Sequence, residues 1–308
     1  MTDRHARLAP FVVFVGEAML ELSQDGSSKG DSGWRLGYGG DTLNTAIHLA
    51  RRGLDTAYLT ALGSDPFSQD IKERWRAEGL DTSLVLTDPA RNPGLYAITT
   101  DDAGERSFTY WRGESAARHL FDCEFAEAAL ADAANADLLA FSLISLAILP
   151  PSGREALLAL ARKVRQRGGL VAFDGNYRPR LWPDQATARA ARDAAIAVAS
   201  IGLPTLEDET LLSGEGDADA VAAHWQGLGC AETVVKLGPA GCRLPDGQIV
   251  APERVLAPVD TSGAGDAFNA GYLAARLRAE PPARAALDGH ALAGWTIMRR
   301  GAIPARDS

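Results

Sequence analysis

Residues Asp260 to Phe268 read DTSGAGDAF, a single carboxylate set between a turn of small residues and the start of a helical pattern. Small residues from Ser262 to Gly265 let backbone N–H groups converge where a helix begins, and such a site favours an anion through its amides and dipole. Gly263, Ala264 and Gly265 are therefore candidates for an anion hole, with Asp266 beside it in the first helical turn. Two readings of Asp266 stand side by side. It can be a helix-start residue favoured by the dipole, worth roughly 0.5–1 kcal/mol. It can also accept a proton from a hydroxyl while the amides neutralise charge on phosphoryl oxygens. The chain contains no GxxxxGK[ST] segment, which excludes a P-loop. GAGDAF lacks the third glycine of a dinucleotide fingerprint and does not open the first strand–helix unit.

The elements that must position this turn alternate in type. FVVFVGE (11–17), DTAYLTALGS (55–64), DLLAFSLIS (137–145), GLVAFDGN (169–176) and TVVKLG (233–238) are apolar on consecutive positions, as strands buried on both faces are. Between them TLNTAIHLARRG, PFSQDIKERWRAEG, FAEAALADAANA, SGREALLALARKVRQRGG and DQATARAARDAAIAVA read as helices. In the fourth, Leu157, Leu158, Leu160, Ala161 and Val164 follow helical spacing, Ser152 is the expected N-cap, and Gly168 and Gly169 end it. Alternation of this kind predicts an α/β fold, a doubly wound, mostly parallel sheet with helices on both faces. Residues 21–40 and 84–113 depart from it: both are turn-rich, and the second pairs GLYAITT with RSFTYWR around DDAG. They are read as a small β-sheet lid, at about 17–40 and 84–113, inserted in one domain spanning 1–308.

Composition narrows the partners. A net charge of −9 with no Lys/Arg-rich run argues against nucleic acid. Cys123, Cys230 and Cys242 share no CxxC spacing, so neither a zinc site nor a disulfide framework is expected, and a reducing cytoplasm fits. The early apolar run LAPFVVFVGEAML is broken by Pro10, Gly16 and Glu17, which argues against a signal peptide, a transmembrane helix and hence a membrane partner.

Taken together, the motifs resemble the ribokinase-like, or PfkB, sugar kinase family. DTSGAGDAF is similar to its second signature and GGDTLNTAIHLARRG (39–53) to its first, with LGSDPFSQDIKERWRAEGLDTS (62–83) continuing in order. VGEAMLELS, PGLYAI, GERSFTYWR, FDGNYRPRLW and the tail RRGAIP extend the resemblance along the chain, most closely to the family's ketodeoxygluconate kinase subgroup. The resemblance implies ATP-dependent phosphorylation of a sugar acid's primary hydroxyl, with Asp266 as the base; the alternatives are a fructokinase or other sugar kinase of the same family and a noncatalytic sugar-acid or nucleotide-binding regulator. A free carboxylate near pKa 4 would accept that proton late in the transfer. It also implies that Gly40, Asp41 and Asn44 meet substrate hydroxyls, with Tyr96, Tyr110 and Arg112 coming from the lid and Asn176 and Arg178 from a strand end. Arg112 and Arg178 suit a carboxylate through the guanidinium fork. Plainer roles remain open beside these: packing for Tyr96 and Tyr110, a surface position for Arg178, helix capping for Asn44 and Asp41, and a strand end for Lys236.

For the donor, the resemblance points to Lys236 and Gly238 and to the Gly263–Gly265 turn. The implied cofactors are ATP and Mg2+, with a monovalent cation such as K+ as a further candidate. The family's NxxE segment is here TLEDE, with Thr205 and Asp208 in place of Asn and Glu. Asp208 is the magnesium candidate, through water, with Glu207 and Glu209 as substitutes and solvated helix-start charges as the plainer alternative. The resemblance further implies that such lids form contacts between copies, giving a homo-oligomer.

Overall fold

A computed structural model describes residues 9–24, 33–100 and 106–306. At its centre is a seven-stranded sheet in the order Glu232–Thr233, Ile201–Gly202, Leu170–Asp174, Leu138–Ser142, Phe11–Val15, Asp55–Leu62 and Val85–Thr87. Every pairing within it is parallel. Phe11–Val15 is buried at all five positions, because helices cover both faces. On one face Val13, Phe141 and Phe173 pack with Leu157, Ala188 and Trp225 from the helices Pro151–Gln166, Gln185–Ile196 and Ala218–Gly227. On the other, Phe14 and Tyr58 meet Ile47, Trp75, Tyr272 and Ala285 from Asp41–Ala50, Pro66–Ala77, Ala264–Leu277 and Pro282–Ile297.

From Phe11–Val15 the chain moves outward on one side to Asp55–Leu62 and Val85–Thr87. It then returns to the other side and steps away through the remaining strands. Reversal of strand order opens a crevice at the carboxyl ends of the strands. Glu17, Asn176, Arg178 and Thr205 all lie just past such ends.

A separate four-stranded sheet covers this crevice, in the order Trp34–Gly39, Met19–Gln24, Gly94–Thr100 and Arg106–Trp111. The predicted hairpin is present, Gly94–Thr100 pairing antiparallel with Arg106–Trp111. Its DDAG turn, and residues 25–32 of the first segment, lie outside the described residues. Residues 85–87, grouped by sequence with the lid, instead form the edge of the central sheet against Thr60–Leu62.

Three other expectations change. The strand sought at 137–145 stops at Ser142, whose hydroxyl accepts the Ser145 N–H at 3.2 Å and starts a short helix, Leu143–Ile148. TVVKLG is divided: Thr233 ends a strand of the central sheet, whereas Val235–Lys236 joins an antiparallel sheet with Cys242–Arg243 and Ile249–Val250. Ser152 does not cap its helix, because Pro151 takes the first helical position, for which its fixed φ and missing N–H suit it. The three cysteines are free. Among the described residues no helix is long and apolar enough to cross a membrane.

Candidate active site

The Ala264–Leu277 helix starts immediately after Gly263, whose φ of 69° is left-handed. A side chain there would place its Cβ 2.5 Å from the Cβ of Ala302, so the turn and the C-terminal tail close on each other only through glycine. Asp260 ties both together, accepting the Ser262 N–H at 2.9 Å and the Gly301 N–H at 2.8 Å. The Ala264 N–H is spent within the turn on the Thr261 carbonyl at 3.2 Å, which narrows the anion hole expected at Gly263, Ala264 and Gly265. Gly265 and Asp266 occupy first-turn positions whose N–H groups have no carbonyl one turn earlier inside the helix.

Asp266 faces the first motif. Asn44 Nδ2 donates to Asp266 Oδ2 at 2.8 Å, and the Thr45 hydroxyl donates to the Asp266 carbonyl at 3.2 Å. Capping is not the work of Asn44 or Asp41. The Asp41–Ala50 helix begins after Gly40, no side chain caps it, Asp41 is its first residue and Asn44 its fourth. Gly40, at φ 154°, is required by the backbone: a Cβ there would lie 2.3 Å from the Glu17 carbonyl oxygen. Asp41 accepts from Asn176 Nδ2 at 3.0 Å, which joins two expected substrate contacts. Asn44 Oδ1 is buried without a hydrogen-bond partner among the described residues. A ligand hydroxyl donating to it would recover an unmade bond that costs about 1–3 kcal/mol.

Burial pushes the Asp266 carboxyl up to about 8. The nearby Asp41 and Asp174 carboxylates push the same way, while the Asn44 bond and Lys236 oppose them. This corrects the ordinary carboxylate expected from sequence, and it places the group nearer the range in which a general base is effective.

Lys236 is not a bare strand end. It is buried, and its ammonium donates to Asp174 Oδ1 at 3.0 Å and to Asn269 Oδ1 at 3.2 Å. Asn269 Nδ2 in turn holds Asp174 Oδ2 at 2.8 Å. A Cβ added at Gly265 would lie 3.7 Å from Lys236 Nζ, so the cation stands beside the anion turn. Asp174 and Asn269 were not singled out from sequence. Asp174 ends the Leu170–Asp174 strand and Asn269 lies one turn into the helix from Asp266, the place a strand-end carboxylate and an i+3 position could have been sought.

On the lid side, Arg112 pairs with buried Glu17, which also accepts from the Ser115 hydroxyl. Glu17 is the third residue missed by sequence reasoning. Arg112 Nε is buried and without a partner among the described residues. Tyr96 donates its hydroxyl to Glu21 and lies 5.9 Å from Tyr110, ring to ring. Arg178 is half exposed, donating to the Tyr177 carbonyl at 2.7 Å and to Asp208 Oδ1 at 3.1 Å. Glu209 cannot substitute for Asp208: it is buried on a different face of its helix, held by Arg192 at 2.6 Å and by the Trp225 indole N–H at 3.2 Å.

These groups share one cleft of about 1400 Å³ between lid and central sheet, large enough for two ligands. Gly40, Asp41, Asn44, Tyr96, Tyr110, Arg112, Asn176, Arg178, Thr205, Asp208, Lys236, Gly238, Gly263, Ala264, Gly265 and Asp266 all line it. The donors present fit magnesium held largely by phosphates and water. Asp174, Glu207 and Asp208 face the same cleft, and burial, reinforced by Asp174 and opposed by Arg178, raises the Asp208 carboxyl. Among the described residues no three His, Cys, Asp or Glu side chains converge into a cage, and magnesium bound through substrate phosphates needs none.

The chain is similar to known proteins along most of its length. Residues 9–308 match the pfkB family carbohydrate kinase pattern. The chain is 41% identical over 307 residues to 2-dehydro-3-deoxygluconokinase of Escherichia coli K12, covering 96% of this chain and 98% of that one. It is 40% identical to the protein of that name from Dickeya dadantii, over 95% and 96% of the two chains. A fructokinase of Salmonella typhimurium is 32% identical over 77% of this chain and 76% of its own. Among solved structures, 2-dehydro-3-deoxygluconokinase from Thermotoga maritima shares the fold, with a TM-score of 0.82 at 22% identity over 96% and 94% of the chains. Aminoimidazole riboside kinase from Salmonella enterica, complexed with aminoimidazole riboside and an ATP analogue, superposes with a TM-score of 0.80 at 25% identity over 95% and 96%.

Proposed function

Because this chain belongs to the pfkB family of carbohydrate kinases, we propose that it transfers the γ-phosphoryl group of ATP to the 6-hydroxyl of 2-keto-3-deoxygluconate (2-dehydro-3-deoxygluconate). The observation that carries the reading is the Asn44–Asp266 bond, which brings the two signature motifs to one point on the floor of a cleft that also holds Arg112 and Arg178. The substrate follows from relatives of that name, similar over nearly the whole chain, with fructokinases more distant.

In this reading the sugar's 6-hydroxyl lies against Asp266. Asp266 takes the proton as the oxygen bonds to the γ-phosphorus, and the bond from that phosphorus to the bridging oxygen breaks to release ADP. The turn at Gly263–Gly265 and the Lys236 ammonium hold charge on the transferring group, which needs fixed dipoles more than covalent help. Asn44 Oδ1, with Asp41 and Asn176, receives the remaining hydroxyls, and Arg178 and Arg112 face the carboxylate end. Magnesium, for which Asp208, Glu207 and Asp174 are the carboxylates available, would supply further charge neutralisation on the phosphates.

The proposal extends to K+ as an activating monovalent cation, to reaction in the cytoplasm, and to association of two copies through the lid, where Trp34 and Trp111 are exposed. ADP release compared in potassium and tetramethylammonium buffers tests the first, and sedimentation the last. The substrate is tested by ADP release across sugar acids and neutral sugars. Turnover should be far higher on 2-keto-3-deoxygluconate than on fructose, and Arg178→Ala should raise its KM tenfold or more, roughly the 1.4 kcal/mol of one lost charged contact. Equal turnover on fructose, or indifference to Arg178→Ala, would defeat the acid assignment.

A further inference from the structure

Arg178, the candidate for the substrate carboxylate, is bound at 3.1 Å to Asp208, the candidate for the metal side. The two residues come from different elements, Arg178 from the segment after the Leu170–Asp174 strand and Asp208 from the first turn of Leu206–Ser213. They also differ in freedom. The Arg178 side chain is 52% exposed and long, and it can turn within the cleft, whereas Asp208 is 16% exposed and fixed by its helix. A sugar carboxylate that engages the guanidinium competes with Asp208 for it, and a divalent cation that engages Asp208 competes with Arg178. Each ligand therefore competes for one member of the same ion pair, Arg178 Nη1 and Asp208 Oδ1.

We propose that this pair couples the two sites: a sugar acid at Arg178 uncovers Asp208 for a divalent cation, and the cation releases Arg178 for the sugar acid. The inference rests on the substrate reading above. The ligand that arrives first bears the cost of parting the pair and the second finds it open, so the coupling is positive and reciprocal. A neutral sugar makes no claim on Arg178 and leaves Asp208 covered. The exchange thus ties assembly of the metal side to the presence of an acid substrate, a discrimination additional to the direct contact between Arg178 and the carboxylate.

Binding of Mn2+ to the ADP-bound protein, followed by electron paramagnetic resonance, tests the exchange directly. Saturating 2-keto-3-deoxygluconate should tighten Mn2+ by about 5-fold or more, the usual span of such couplings, and fructose should not. In metal-free buffer Asp208→Asn should tighten the sugar acid, measured by calorimetry, where a merely structural role for Asp208 would weaken it. Arg178→Ala should tighten Mn2+ without any sugar. Mn2+ affinity that is unchanged by bound sugar acid, or a sugar acid weakened by Asp208→Asn, would overturn the coupling. Absence of sugar-acid binding to the wild type would instead overturn the substrate reading. In that event the Arg178→Ala titration still decides the ion pair, an unchanged Mn2+ affinity counting against it.

Discussion

Burying a carboxylate and then employing it as a base raises its affinity for the proton it must take, and Asp266 carries that conflict openly. Its carboxyl is pushed up to about 8, so in the empty protein its working, ionised form grows as pH rises. The kcat/KM for sugar should therefore increase with pH and level off above about 8, read from initial rates across pH 6 to 9.5; a flat profile would count against Asp266 as the base. The stability consequence has the opposite sense. The folded carboxyl binds its proton more tightly than the unfolded one near 3.8, so folding stability is lost as pH rises from about 4 to about 8. Asp266→Asn escapes that loss, and its melting temperature should exceed that of the wild type by several degrees at pH 9 and converge with it near pH 4. Asp266 and Asn44 were legible because each lies in a short motif whose spacing carries a reason. Glu17, Asp174 and Asn269 were not, since their meaning lies in contacts with residues far along the chain: Glu17 with Arg112, and Asp174 with Lys236 and Asn269.

At the scale of elements, the anion turn depends on a close approach between the helix start and the C-terminal tail. Gly263→Ala places a methyl against Ala302 and forces an unfavourable left-handed backbone, a cost of about 1–3 kcal/mol. It should lower the melting temperature by several degrees and raise the KM for ATP; unaltered ATP kinetics would separate the turn from phosphate binding. The same tail is held from below by His48, whose Nε2 donates to the Ala302 carbonyl at 3.0 Å. Burial lowers the His48 imidazole from 6.5 to about 4, with that carbonyl opposing. Because the unfolded imidazole binds the proton more readily, the stability His48 supplies is present above pH 6.5 and lost as pH falls towards about 4. Thermal melts of His48→Gln should lack that part of the acid loss; an unchanged pH dependence would assign it elsewhere. Strands such as Phe11–Val15 and Asp55–Leu62 were readable from their apolar runs. Ile201–Gly202 was not, and TVVKLG was read as one strand where Thr233 and Val235–Lys236 belong to two sheets, because a pair of residues has no periodicity and its pairing is fixed by neighbouring elements.

Across the whole molecule, the lid and the central sheet contribute opposite walls of one cleft, and the Glu17–Arg112 pair is a buried link between them. Glu17→Ala would leave the Arg112 charge without its partner in a buried site, a change that typically costs about 3–5 kcal/mol. It should loosen the lid and raise ADP release in the absence of sugar relative to ADP release in its presence; an unaltered ratio would remove the lid from control of stray hydrolysis. The α/β alternation and the existence of a lid were legible in sequence, while the division at residues 84–93 was not, since Val85–Thr87 becomes a strand of the central sheet only through its neighbour Asp55–Leu62. Everything proposed for the chemistry meets at Asp266. The most direct test is ATP-dependent ADP release with 2-keto-3-deoxygluconate, comparing wild type with Asp266→Asn. The expected result is rapid turnover that falls by about 10²- to 10⁴-fold in the variant while ATP binding persists. Turnover within about threefold of wild type, well under the loss expected of a general base, would contradict the assignment.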